Sequence, residues 1–191
     1  MREIILASTS PRRRELLAKL GLKFKVVESD YEEDMSLKMT PKKLAAFLSK
    51  GKAESVAKKY KKHLIISADS FVVLGSEVFG KPHTPEKATE ILRKISGKVV
   101  SNLTGFTIMD TLNKKVISRT VETKIYIKKL TREEIANYVK SGESLDRAGG
   151  FVVQGLGALL VRKIEGDFWG IMGLPLFDLA KELKKFGVKI I

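Results

Sequence analysis

Apolar residues recur along the chain with two periods, near 2 and near 3.6, and their alternation sets the expected elements. Glu3–Ala7 reads as a short apolar strand and Ser8-Thr9-Ser10 as a loop. Ser10 is placed to cap a helix with Pro11 at its first position and Gly21 at its end, and Leu16, Leu17 and Leu20 form its buried face. Lys23–Val27 reads as a second strand, followed by the acidic segment Glu28–Asp34. Thr40-Pro41 opens a long helix running to about Lys61. Leu64–Ala68 is expected as a buried strand and Phe71–Val78 as a hairpin turning at Gly75-Ser76. A helix from Thr84-Pro85 to Gly97 turns Ala88, Ile91, Leu92 and Ile95 inward. Val99–Met109 and Lys115–Lys129 are two long strands joined near Asn113. Thr131 and Glu134 have capping-box spacing for a helix that stops at Gly142. Phe151–Val153, Ala158–Ile164 and Val188–Ile191 read as strands, with a helix over Pro175–Phe186 before the last. This irregular alternation predicts a mixed α/β fold with a partly antiparallel sheet.

The 191 residues suffice for one sizeable core and are too few for several independent domains. With 43 % hydrophobic and 30 % charged residues the chain belongs among globular proteins, not disordered ones. No apolar run approaches the roughly 20 residues of a membrane span, and the chain enters a strand without a signal-peptide pattern, so a cytoplasmic location is expected. Cysteine is absent, which excludes disulfides, thiolate catalysis and cysteine-held zinc. Two histidines, His63 and His83, are poor material for a histidine metal site. The net charge of +14 is consistent with an anionic partner. Lysine-rich, glutamate-rich composition with a single glutamine equally fits a heat-adapted surface, so charge does not decide function.

Charge placement is more telling. Arg12, Arg13 and Arg14 occupy the first turn of a helix, where the macrodipole makes each cation cost about 0.3–1 kcal/mol. A strand, a hydroxyl-rich loop and a helix start form a recurrent phosphate site, and Arg12 and Arg13 would add planar clamps for phosphate oxygens. Lys52 interrupts the apolar stripe Leu44, Leu48 and Val56, so it either snorkels to solvent or points into a polar cleft. Asp69 stands at the expected carboxyl end of a strand, where α/β folds gather ligands, though it could equally cap a turn. Lys81 lies between Gly80 and Pro82 in a short rigid link. Glu32, Glu33 and Asp34 are either a solvated loop or carboxylates for Mg²⁺. Gln154, the sole glutamine, offers the donors and acceptor needed to read a base edge.

"LASTSPRRRELL", "ADS…GKP", "SGESLDRAGGFVVQG" and "GLPL", in this order and spacing, resemble the Maf nucleotide pyrophosphatases over essentially the whole chain. The resemblance implies one domain over 1–191, a long mixed sheet flanked by helices, and two lobes about a central cleft, as in inosine-triphosphate pyrophosphatases. It also implies a cytosolic homodimer that uses a divalent cation, Mg²⁺ or Mn²⁺. The implied reaction cleaves a nucleoside triphosphate between the α- and β-phosphates. By position, Ser8, Arg12 and Arg13 match the family's phosphate-binding start. Glu33 matches its cleft acid, Lys52 and Lys81 its two lysines, and Asp69 the proton acceptor. Asp69 and Glu33 are then the expected metal ligands.

Substrate choice in the family follows three positions, and Arg12, Ser70 and Gln154 resemble the branch acting on dTTP and UTP, not the one acting on 7-methyl-GTP. Ser70 replaces the usual threonine, Val100–Asn102 lacks a histidine common there, and Gly150 stands where alanine is frequent. Readings from other classes are a nucleic-acid-binding module, which lacks clustered aromatics here, and a nucleotide sensor without hydrolysis. No polymeric nucleic acid and no membrane are expected as partners.

Overall fold

The computed structural model describes residues 2–191. Seven strands form one mixed sheet: β1 (Glu3–Leu6), β2 (Phe24–Val26), β3 (His63–Leu74), β4 (Glu77–Phe79), β5 (Val99–Asp110), β6 (Val116–Ile127) and β7 (Val161–Glu165). Their order is β2-β1-β3-β5-β6-β7, with β4 paired to β3. β1 runs parallel to β2 and β3, whereas β3–β4 and β6–β7 are antiparallel. The helices are α1 (Pro11–Ala18), α2 (Pro41–Ala57), α3 (Pro85–Ile95), α4 (Arg132–Lys140), α5 (Phe168–Ile171) and α6 (Leu176–Lys184). None is long and apolar enough to cross a membrane.

The chain divides into two compact units. The first comprises everything up to Asp69, Thr104–Val121 and Phe168–Ile191. Successive side chains of a strand point to opposite faces, and that parity organises this unit. Ile4 and Leu6 of β1, Leu64 and Ile66 of β3, and Phe106 and Ile108 of β5 pack with Leu16 and Leu17 of α1 and Leu179 and Leu183 of α6. Ile5, Ile65 and Met109, one residue out of phase, pack instead with Ala53 and Val56 of α2. Ser67 and Asp69 share the parity of Ile65 and so face α2. On that face Gly105 permits the closest approach: a Cβ there would meet the Ala45 carbonyl oxygen at 2.0 Å. We expect Gly105→Ala to lower the denaturant midpoint at unchanged m-value, by about 1–3 kcal/mol of overpacking; an unchanged midpoint would show that α2 can move away freely.

The second unit, Ser70–Leu103 with Glu122–Asp167, carries α3 and α4. The expected inward face of α3 is buried at Ala88, Ile91, Leu92 and Ile95. The Thr131–Glu134 capping box is formed in both directions.

Four expectations are corrected. The segments read as a strand ending at Ala68 and a separate hairpin are one strand, β3, which continues through Asp69. The polar residues that looked like a break have partners on α2, so nothing ends the ladder there. Phe151–Val153 is not a strand, and 155–160 is a 3-10 turn. Glycines 149, 150 and 155 adopt positive φ, away from the extended region of a regular strand, and the Glu143 carboxylate accepts from the N–H groups of Leu156 and Gly157 at 3.1 Å. Val188–Ile191 is likewise not a strand; Gly187 turns the chain at φ 78° and Val188 fills the core below α6. The helix α2 stops at Ala57, four residues short of the expected Lys61.

Candidate functional site

The first unit brings together five of the expected residues. Parity on β3 turns Asp69 toward α2, and Lys52 projects from α2 to meet it. Lys52 Nζ lies 2.5 Å from Asp69 Oδ1, with Lys52 9 % and Asp69 5 % exposed. The expectation that Asp69 marks a strand end is thereby corrected: it sits within β3, held there by a cation from the neighbouring helix. The same ammonium lies 2.6 Å from Glu33 Oε1, and Glu33 is exposed. Of the two readings open for Lys52, snorkelling is excluded. In the acidic segment Glu33 is both exposed and paired with Lys52, while Asp34 accepts from the Ser36 N–H at 2.8 Å.

The helix start contributes the cations. α1 has no acid in its first turn, and Ser10 at the N-cap makes no side-chain cap; its N–H instead donates to Ser8 Oγ at 3.3 Å. Arg13 reaches from this turn to Ser8 Oγ (3.4 Å) and to the Gly173 carbonyl (3.0 Å). Burial pushes the Arg13 guanidinium pKa below its usual value, opposed by the charges of Asp69 and Glu33. Arg13, Asp69, Glu33 and Lys52 therefore sense one another in one neighbourhood. Two cations with two carboxylates, one of them buried, compensate each other without an external ion. An incoming polyanion would compete with the carboxylates for Lys52 and Arg13.

Arg12 is half-buried in the same turn and Arg14 is exposed. Ser70, Lys81 and Gln154 belong to the second unit: Ser70 on β3, half-buried; Lys81 exposed in the link after β4; Gln154 exposed before the 155–160 turn. Three contributors were not singled out from sequence. Gly173, read only as part of a turn, receives Arg13 through its carbonyl at φ 112°. Ser29 donates to the Lys52 carbonyl at 3.4 Å, and the Tyr31 ring lies on Gly51. An aromatic inside an acidic run was the available signal for Tyr31.

Comparison with known proteins gives the family. The family model described as Maf-like protein matches residues 3–186. The dTTP/UTP pyrophosphatase of Methanococcoides burtonii is 47 % identical over 191 residues, covering 100 % of this chain and 98 % of that protein. Those of Methanosarcina barkeri (48 %; 100 % and 97 % covered) and Thermoanaerobacter sp. strain X514 (47 %; 99 % and 100 %) are similar. Among solved structures, a HAM1 protein from Coxiella burnetii aligns with TM-score 0.56 at 18 % identity, covering 97 % of this chain and 100 % of that one, a likeness of fold. With a family match spanning nearly its full length and relatives near half identity, this chain belongs to the Maf family.

Proposed function

We propose that the chain hydrolyses dTTP and UTP between the α- and β-phosphates, releasing the nucleoside monophosphate and pyrophosphate. The observation that carries the reading is Lys52 held between Asp69 and Glu33 beside Arg13, in a chain 47 % identical to a dTTP/UTP pyrophosphatase. The phosphate tail is a stronger competitor for Arg13 and Lys52 than either carboxylate, because it offers several charged oxygens to donors already desolvated. Arg12 and the backbone N–H groups following Ser8 add to this at a helix start with no acid in its own first turn. Asp69, with Oδ1 fixed by Lys52, orients a water and accepts its proton as the oxygen attacks the α-phosphorus. The bond from that phosphorus to the bridging oxygen breaks, and pyrophosphate leaves with the electron pair, its charge offset by Lys52 and Arg13.

Glu33 and Asp69 are the residues that would hold a divalent cation. Among the described residues no group of three or more acids and histidines forms a metal cluster. A magnesium site on a phosphorylated substrate takes only one or two protein carboxylates, the remainder being phosphate and water. Two carboxylates converging on one ammonium fit that requirement. The ion, when bound, would neutralise charge on the phosphates. Lys81 is assigned to the phosphates, and Ser70 and Gln154 to the base, on the family resemblance. The same resemblance carries the expectation of a cytoplasmic homodimer, which light scattering of the purified chain checks as to oligomeric state.

The test is pyrophosphate release with Mg²⁺ or Mn²⁺ across dTTP, UTP, CTP, 7-methyl-GTP, ITP and ATP. Preference for dTTP and UTP is expected. Preference for 7-methyl-GTP would overturn the assignment from Arg12, Ser70 and Gln154, and nucleotide binding without product would replace the enzyme by a sensor.

A further inference from the structure

Glu33 is a working group on a segment with no ladder to fix it. Between β2 and α2 the chain has no helix or strand, and Glu32, Glu33 and Asp34 are exposed. Ordering such a segment costs backbone entropy at every residue, so the Glu33–Lys52 pair needs other contacts to persist. Asp30 supplies one beyond the end of α2, an exposed pair with Lys59 Nζ at 2.6 Å; the others occur at alternate residues on one short stretch of α2. Ser29 Oγ donates to the Lys52 carbonyl at 3.4 Å and accepts the Tyr31 N–H at 3.2 Å. Next, the para end of the Tyr31 ring occupies the space above Gly51: a Cβ there would lie 2.3 Å from Cζ and 2.4 Å from Cε2. Glu33 then closes onto Lys52 Nζ.

We infer that Tyr31 is a positioning residue for the reaction: its ring, seated on the bare Cα of Gly51, sets the 28–34 loop so that Glu33 reaches Lys52. This rests on the function proposed above. The glycine and the tyrosine form a matched pair, since any side chain at 51 displaces the ring and with it the loop. It also explains a glycine in the middle of α2, where glycine is less favourable than alanine. The ring carries the role, and the hydroxyl is dispensable.

The test uses Tyr31→Phe, Tyr31→Ala, Gly51→Ala and the double variant Tyr31→Ala/Gly51→Ala. Two readouts are taken: kcat and KM for pyrophosphate release, and cleavage of the nucleotide-free protein by a glutamate-specific protease at Glu32 and Glu33. Tyr31→Phe is expected within about twofold of the parent, whereas Tyr31→Ala and Gly51→Ala each lower kcat about tenfold through misplacement of Glu33 and accelerate loop cleavage. In the Tyr31→Ala background Gly51→Ala should cost nothing further, as coupled neighbours require. The assignment is overturned if Tyr31→Ala keeps parental kcat and cleavage. It also fails if Gly51→Ala costs the same in both backgrounds, or if Tyr31→Phe is as impaired as Tyr31→Ala. Should the parent turn over no triphosphate, the proposed function falls, and the protease arm still decides whether Tyr31 holds the loop.

Discussion

Replacing Asp69 by asparagine is expected to reduce pyrophosphate release by about 10²–10⁴-fold, the usual span for loss of a general base. The substitution is close to isosteric, and an amide oxygen still accepts from Lys52, so the buried contact at 2.5 Å is weakened but not lost. Glu33, at 2.6 Å, continues to neutralise the ammonium. Far-UV circular dichroism and the melting temperature should stay near the parental values, which separates a chemical loss from a folding loss. Near-parental turnover would remove Asp69 from the proton-accepting role and leave it as a structural partner of Lys52.

The second large effect is expected at Lys52, and it is twofold. Lys52→Met fills much of the same volume but leaves the Asp69 carboxylate, 5 % exposed, facing a thioether. Breaking a buried pair from one side typically costs about 3–5 kcal/mol, because the surviving charge has lost its directly bonded partner; Arg13, which also acts on Asp69, places the loss toward the lower end. Denaturant unfolding should therefore show a loss of that size, alongside pyrophosphate release lowered by about 10²-fold or more as the leaving phosphates lose a cation. An activity loss without a stability loss would mean that water or another cation replaces Lys52 beside Asp69. A stability loss with intact turnover would mean that Lys52 is structural only.

These two residues also show how unevenly the site was written into the chain. Lys52 betrayed itself by interrupting an apolar stripe, and the arginines by sitting against the dipole of α1, because both anomalies are local. Asp69 has the local look of a strand end, whereas it lies within a strand whose polar residues are satisfied from another element. Glu33 had no local signature, since an exposed acid in an acidic loop looks the same whether or not it meets a lysine. Gly173 was equally silent, for it acts through a carbonyl that every residue possesses.

The charge balance is a similar case. A net charge of +14 was compatible with an anionic partner and with a solvated surface alike. In the structure many of the lysines pair with nearby acids at exposed sites, as Lys94 does with Glu77 and Lys87 with Glu90. Exposed pairs of this kind contribute about 0–1 kcal/mol each. The total does not reveal which cations lie among buried groups, as Lys52 does beside Asp69.

By itself the sequence determined the elements whose causes are local: the amphipathic helices, the capping box at Thr131 and Glu134, the apolar strands and the arginine-bearing start of α1. Propensity, periodicity and capping act over a few residues, so they are legible one segment at a time. Only the tertiary structure decided that β3 runs unbroken through Asp69 and that 155–160 folds as a turn, because side chains distant in sequence satisfy the polar groups there. It alone decided that Glu33, Lys52, Asp69 and Arg13 share one neighbourhood, since desolvation and ion pairing act across space between residues that the chain order keeps apart.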